Sequence, residues 1–239
     1  MYKSKKILCI IPARGGSKGL PGKNIKSLLG KPLIAYTVEQ AKNCRYLDRI
    51  IVSTEDKSIA AVAKKFGAEV PFLRPKRLAK DKSGTIDVLL HAMDWMETKE
   101  KFDFDIVVLL HVTTPLRSVE DIKKSVELLF KDNTDNVFSV TEAHRNPYFN
   151  MVEINKSGKV SLVKKGNYNG RQSAPSVFDM NSSIYVWWKD ALRKSKSLFF
   201  RNTRIYIMPK ERSIDIDDEL DFRIVEFLTV KRKHQKLKG

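Results

Sequence analysis

The chain has 239 residues, 42% of them hydrophobic, which is enough for one large α/β domain with its own core, and no Pro/Ser-rich linker divides it. Its 45 lysines and arginines against 28 acidic residues give a net charge of +17, which fits either a nucleic-acid partner or an anionic small molecule held on a lysine-rich surface. No apolar run approaches a membrane span and no signal-peptide core opens the chain, so a cytoplasmic protein without a membrane partner is expected, with Cys9 and Cys44 as buried thiols that lack metal-ligand spacing.

Residues 6–11 are an apolar run that reads as a buried first strand. A loop follows in which Gly15, Gly16, Gly19 and Gly22 let the backbone approach a ligand, while Arg14, Lys18 and Lys23 add positive charge. That pairing suits a polyphosphate, although a basic surface loop between a strand and a helix has the same composition. A P-loop is excluded, because its spacing needs glycine at Ser17 and a hydroxyl at Asn24, and a GxGxxG fingerprint fails at Ser17.

The spacing of Leu33, Ile34, Val38 and Ala41 predicts a helix over 31–44. A second strand over 49–54, a helix over 56–66 stopped at Gly67 and a short third strand over 69–73 come next. The basic stretch 74–84 leads into a helix over 85–96, with Ser83 or Thr85 as its cap. Residues 105–110 are the most hydrophobic strand, followed by a polar turn at 111–117, a helix over 119–130 and a strand over 136–141. A polar turn at the carboxyl end of a central strand is where an open α/β sheet meets its substrate, though a lone histidine there, His111, also serves structure alone. From 142 to about 170 the pattern becomes that of a hairpin, with a turn at 155–158. Trp187 and Trp188 fall on opposite faces of a strand, and a late strand covers 204–208. Asp215 and Asp217, two apart in an extended segment, can grip one divalent cation. The same segment suits helix capping, with Asp217 as N-cap of a helix over 219–230. The basic run 231–238 reads as a solvated tail. No helix-turn-helix, zinc-ligand or RNP-type pattern accompanies the charge, so no specific nucleic-acid partner is expected.

In order and spacing these segments resemble the acylneuraminate cytidylyltransferases, which make CMP-activated sialic acids and related nonulosonates, from residue 7 to about 226. The opening signature stands as Pro12-Ala13-Arg14, Gly16-Ser17-Lys18 and Pro21-Gly22-Lys23-Asn24. Asn24 takes the place of a proline typical of CMP-Kdo synthetases, which puts the chain nearer the sialate branch. The closing motif stands as Ser213-Ile214-Asp215-Ile216-Asp217 before an acidic helix start. Arg74 and Ser83 resemble the segment that holds cytidine and ribose. His111 replaces a glutamine that contacts the sugar acid, Arg171-Gln172-Ser173-Ala174-Pro175 resembles an active-site Arg-Gln-x-x-Pro, and Asn181 and Tyr185 match the Asn-x-x-x-Tyr that follows.

The resemblance implies a three-layer α/β/α fold with a mostly parallel, Rossmann-like sheet of the nucleotide-diphospho-sugar transferase type. It implies a single domain over 1–239, with 142–170 a small dimerisation insertion and 231–239 a basic tail, in a homodimer whose partner closes each active site. The implied reaction moves CMP from CTP to the anomeric hydroxyl of a nonulosonic acid and releases pyrophosphate, with Mg²⁺ (or Mn²⁺) on Asp215 and Asp217. Arg14, Lys23 and Arg171 would be catalytic. Ala13, Gly15, Gly16, Ser17, Lys18, Asn24, Arg74 and Ser83 would hold the nucleotide, and His111, Gln172, Asn181 and Tyr185 the sugar acid. CMP-Kdo synthesis or another sugar nucleotidyl transfer is the nearest alternative, and a basic nucleic-acid-binding protein is the alternative of a different class.

Overall fold

The computed structural model describes residues 1–17, 19–80, 83–166, 168, 170 and 172–236, the side chains of 233–236 excepted. Its elements are β1 (Ile7–Pro12), β2 (Ser27–Leu28), β3 (Lys31–Pro32), α1 (Leu33–Lys42), β4 (Arg49–Ser53), α2 (Lys57–Lys65), α3 (Thr85–Thr98), β5 (Ile106–Leu110), α4 (Val119–Leu129), β6 (Asn136–Glu142), β7 (Val152–Ile154), β8 (Val160–Leu162), β9 (Phe178–Trp188), α5 (Lys189–Ser195), β10 (Thr203–Ile207) and α6 (Glu219–Lys236).

Six strands form the central sheet in the order β10-β6-β9-β5-β1-β4. All run parallel except β9, which is antiparallel to both β5 and β6. β1 has β4 on one side and β5 on the other, so the chain leaves β1 in one direction and later returns in the opposite one. That reversal opens a crevice at the carboxyl end of β1.

Because side chains alternate across a strand, β1 feeds two cores. Ile7, Cys9 and Ile11 pack with Leu33, Val38, Ile59, Ile122, Val126 and Val225 of α1, α2, α4 and α6. Leu8 and Ile10 pack on the other face with Leu89, Met93, Met96 and Leu192 of α3 and α5. The layers are therefore α/β/α. Trp187 is fully buried among the second set, whereas Trp188 joins the first and donates from Nε1 to the Thr134 carbonyl at 3.0 Å.

Several expected elements are shifted. The strand expected over 69–73 is reduced to one bridge between Glu69 and Ile51, since Pro71 has no N–H for a ladder. Neither Ser83 nor Thr85 caps α3; Gly84 occupies the cap position and the Ser83 hydroxyl donates to the Arg77 carbonyl at 2.7 Å. Pro32 stands one residue before α1, closing the small β2–β3 pair. The basic run after 230 continues α6 to Lys236, and Arg232 is tied down by the carbonyls of Leu116 (2.6 Å) and Glu211 (2.9 Å). Among the described residues the start of the run is therefore helical, with Lys231 exposed and Arg232 half-buried.

Candidate active site

The loop after β1 closes down on the end of β4. Ala13 N–H donates to the Ser53 carbonyl at 3.0 Å, and Gly15 N–H donates to Glu55 Oε1 at 2.7 Å. A Cβ at Gly15 would lie 2.6 Å from Asp56 Oδ2, so a larger residue here would have to displace the Asp56 carboxylate. Gly22, at φ +64°, turns the chain into a short 3₁₀ segment, Lys23–Ile25. There Asn24 is buried and donates from Nδ2 to the Arg14 carbonyl at 2.8 Å, fixing the loop from below.

A cleft of about 510 Å³ opens over this loop. Arg14, Ser17, Gly19, Lys23 and Asn24 form its floor. Arg74, Leu78, Lys80, Ser83, Thr85 and Val88 form one wall, and His111, Val112, Thr113 and Asp217 the other. Arg74 is buried against Glu55 Oε2 at 2.7 Å, and its Nε has no hydrogen-bond partner among the described residues.

The turn after β5 is held from behind by Arg117. Its guanidinium donates to the carbonyls of His111 and Ser183, to Thr37 Oγ1 and to Gln40 Oε1, while Gln40 Nε2 donates to the Pro115 and Arg117 carbonyls. Burial lowers the Arg117 pKa to about 9, which still leaves it charged at neutral pH. Burial also brings His111 down to about 4, with the Arg117 and Lys23 charges acting in the same direction, so its ring is neutral. The ring meets Tyr185 edge-on at 5.8 Å.

The late acidic segment comes back to the glycine loop. Lys23 Nζ lies 3.4 Å from Asp217 Oδ1 and donates to the Ile216 carbonyl; a Cβ on Gly19 would lie 2.2 Å from the Asp217 carbonyl oxygen. Ile216 N–H donates to the Thr113 carbonyl at 2.9 Å, joining this segment to the turn after β5. The helix cap is one residue later than expected. Asp218 Oδ1 accepts from Asp221 N–H at 3.0 Å and Asp221 Oδ2 from Asp218 N–H at 3.3 Å, a reciprocal box that leaves the Asp217 carboxylate exposed at the cleft. Burial raises the Asp215 pKa, and nearby Asp217 adds to the rise while Thr113, Ser182 and Lys23 oppose it. Asp215 Oδ1 has no hydrogen-bond partner among the described residues. A buried, unpartnered carboxylate oxygen two residues from an exposed carboxylate fits a hard divalent cation.

Of the residues expected at the site, the cleft brings together Arg14, Ser17, Lys23, Asn24, Arg74, Ser83, His111 and Asp217. Ala13, Gly15 and Gly16 belong to the same loop, and Lys18 and Arg171 lie outside the described residues. Gln172 is exposed and does not line the cleft. Asn181 is a correction. It is buried, its Oδ1 accepts from Ser139 at 2.7 Å and its Nδ2 donates to Ser213 at 2.9 Å, so its amide braces β6 and β9 against the acidic segment instead of facing a ligand. Tyr185 is likewise buried, stacked on Trp187 at 5.7 Å, and borders the cleft only through His111. Sequence reasoning missed Glu55, Lys80, Thr85 and Thr113. For Glu55 the only signal was an acid at the carboxyl end of a parallel strand.

The cytidylyltransferase family model matches residues 8–229. The chain is 43% identical over 232 residues to the post-translational flagellin modification protein B of Campylobacter coli, covering 97% of this chain and 98% of that protein. It is 44% identical over 222 residues to the CMP-N,N'-diacetyllegionaminic acid synthase of Campylobacter jejuni, covering 93% and 94%. Among solved structures, a CMP:2-keto-3-deoxy-manno-octonic acid synthetase complexed with CTP superposes with a TM-score of 0.70 at 19% identity, over 95% of this chain and 99% of that one, which is a likeness of fold. With the glycine loop, the turn after β5 and the acidic segment sharing one cleft, and with the match running through nearly all of its length, the chain belongs to the cytidylyltransferase family.

Proposed function

We propose that the protein transfers CMP from CTP to the anomeric hydroxyl of a nonulosonic acid and releases pyrophosphate. The observation that carries this reading is the meeting of Lys23 and Asp217 at 3.4 Å on the lining of the cleft, a fixed cation beside an exposed carboxylate, which suits a polyphosphate with a divalent cation. The acceptor hydroxyl attacks the α-phosphorus and pyrophosphate leaves in line, so the protein's task is positioning and charge stabilisation.

Arg14 and Lys23 balance charge developing on the phosphates, and the backbone N–H groups from Gly16 to Gly19, with Ser17 and Lys18, cradle them, while Gly15, whose own N–H is held by Glu55, lets the loop lie close. Asn24, Arg74 and Ser83 hold the nucleoside. His111 meets the acceptor as an uncharged imidazole, able to donate from one nitrogen and accept at the other, and Arg171, with Gln172 beside it, pairs with the acceptor's carboxylate. Mg²⁺ (or Mn²⁺), when bound by Asp215 and Asp217, supplies further neutralisation of phosphate charge and a lower pKa for the acceptor hydroxyl.

The working form in this reading is a homodimer. Val152, Ile154 and Val160 on the β7–β8 hairpin are 62–70% exposed, an apolar surface that calls for a cover. Met180 and Ile207, both in register with Val140, and Ile205, in register with Phe138, extend exposed apolar surface on one face of the sheet.

The test is to incubate the protein with Mg²⁺ and CTP or UTP against a panel of N-acetylneuraminic, diacetyllegionaminic, pseudaminic and Kdo acids, and to measure pyrophosphate. Release with CTP and a nonulosonic acid is expected. Preference for Kdo, or for UTP with a sugar 1-phosphate, would replace the reading.

A further inference from the structure

We infer that Glu55 is a positioning residue that couples the wall of the cleft carrying Arg74 to the glycine loop, so that occupancy of the nucleoside side and of the phosphate side reinforce each other. The inference rests on the nucleotide reading above, because it assigns those two sides to two parts of one nucleoside triphosphate.

The geometry is that of a two-ended clamp. Glu55 follows β4 and its side chain is only 15% exposed. One carboxylate oxygen accepts from Gly15 N–H and the other from Arg74 Nη2, each at 2.7 Å. The Gly15 end exists because the loop lies flat on residues 55 and 56, where a Cβ would collide with Asp56. The Arg74 end is almost dry, the arginine side chain being 3% exposed, and its backbone N–H is held by the Thr54 carbonyl at 2.8 Å. Three consecutive residues, Ser53 to Glu55, thus hold both the loop and the arginine.

Each end of the clamp orients the other. A carboxylate with both oxygens taken has little torsional freedom, so ordering Arg74 fixes where the Gly15 N–H must point, and ordering the loop fixes the guanidinium. Arg74 Nε has no hydrogen-bond partner among the described residues, which leaves it as a donor toward whatever fills the cleft. A ligand on the Arg74 wall therefore preorganises the loop for phosphate, which is a coupling free energy between two subsites.

The substitution that isolates this is Glu55→Gln. An amide has one oxygen and one NH₂, so it meets one of the two donors with another donor and can hold only one end. Binding of cytidine and of inorganic triphosphate to the full-length protein is titrated calorimetrically, each alone and each with the other near saturation. In the wild type, cytidine should tighten triphosphate by about 5-fold or more. In Glu55→Gln the two should bind independently, to within about 2-fold, while the thermal midpoint shows the protein folded. Coupling retained in the variant, or absent in the wild type, overturns the inference. If Glu55→Gln does not fold, Glu55→Asp keeps both acceptor oxygens on a shorter arm and should weaken the coupling; an unchanged value overturns it as well. A wild type that releases pyrophosphate from CTP but shows no coupling leaves the proposed reaction standing without this clamp, whereas one that binds neither probe and turns over no CTP removes both.

Discussion

Lys23 Nζ and Asp217 Oδ1 lie 3.4 Å apart although 194 residues separate them in the chain, and the lysine side chain is 14% exposed against 80% for the aspartate. The lysine is the fixed partner. Its ammonium also donates to the Ile216 carbonyl, so it is preset beneath the cleft, while the carboxylate is free to turn toward a cation. Lys23→Ala should lower kcat by about 10²- to 10³-fold and raise the KM for CTP by far less, because the charge acts mainly on the transition state. Initial rates of pyrophosphate release over a CTP series check this; equal losses in both constants would make Lys23 a binding residue only.

If Asp215 holds the proposed metal, its burial sets stability against activity. Its pKa is raised, chiefly by burial, so the folded state holds the proton more tightly than the unfolded one. Stability therefore falls as pH rises from the unfolded carboxylate pKa through the raised one, and the penalty persists at neutral pH. Asp215→Asn should raise the metal-free thermal midpoint at pH 7 by about 2–4 °C, the effect of relieving roughly 1 kcal/mol of desolvation at a carboxylate with one unpartnered oxygen. The same variant should lose pyrophosphate release and its response to Mg²⁺. A midpoint that drops would mean that the carboxylate is satisfied in the folded protein.

Asp121 works in the opposite sense. Burial would raise its pKa, but Arg212, Ser118 and Tyr206 donate to it and the net shift is downward. Its contribution is present above the unfolded pKa and is lost as pH falls through the lowered folded value. Arg212→Ala leaves that acid buried with one partner fewer and should cost about 3 kcal/mol in urea unfolding at pH 7. The deficit should narrow toward pH 3.

With its pKa brought down to about 4, His111 stays neutral across the working range. The pH profile of kcat/KM for the sugar acid should show no inflection near 6.5 attributable to it. His111→Gln should leave that profile unchanged between pH 5.5 and 8, while shifting relative rates across the acceptor panel.

The hairpin prediction concerns assembly. Ile154 on β7 is 70% exposed, and Ile154→Asp should move the protein from dimer to monomer in sedimentation velocity. Pyrophosphate release should fall with it, and the monomer should keep its thermal midpoint within a few degrees. A wild type that sediments as a monomer at micromolar concentration would remove the homodimer.

The layers were legible because periodicity carries them. Continuous apolar runs became the doubly covered strands β1 and β5, and 3.6-residue spacing became α1, α2 and α4. That the loop and the acidic segment belong together was legible from residue type, glycines and cations in one and carboxylates in the other, and the two do share the cleft. What could not be read depended on neighbours distant in sequence. Nothing local tells Glu55, which clamps two loops, from Asp56 beside it, which caps α2 through Ser58 and Ile59 N–H. Asp217 was the expected cap, and the position fell to Asp218 because Asp221 answers it. Asn181 and Arg117 sit in motifs that read as substrate contacts, but burial turns both into braces, a property of packing that a linear string does not display.

The contact of Gly19 with the Asp217 carbonyl also bears on biosynthesis. A nascent chain can lay down β1, β4 and β5 side by side early, yet the cleft lacks its far rim until the segment past 217 has left the ribosome. Ribosome-bound chains stopped before that segment should therefore hold much of the sheet and release no pyrophosphate.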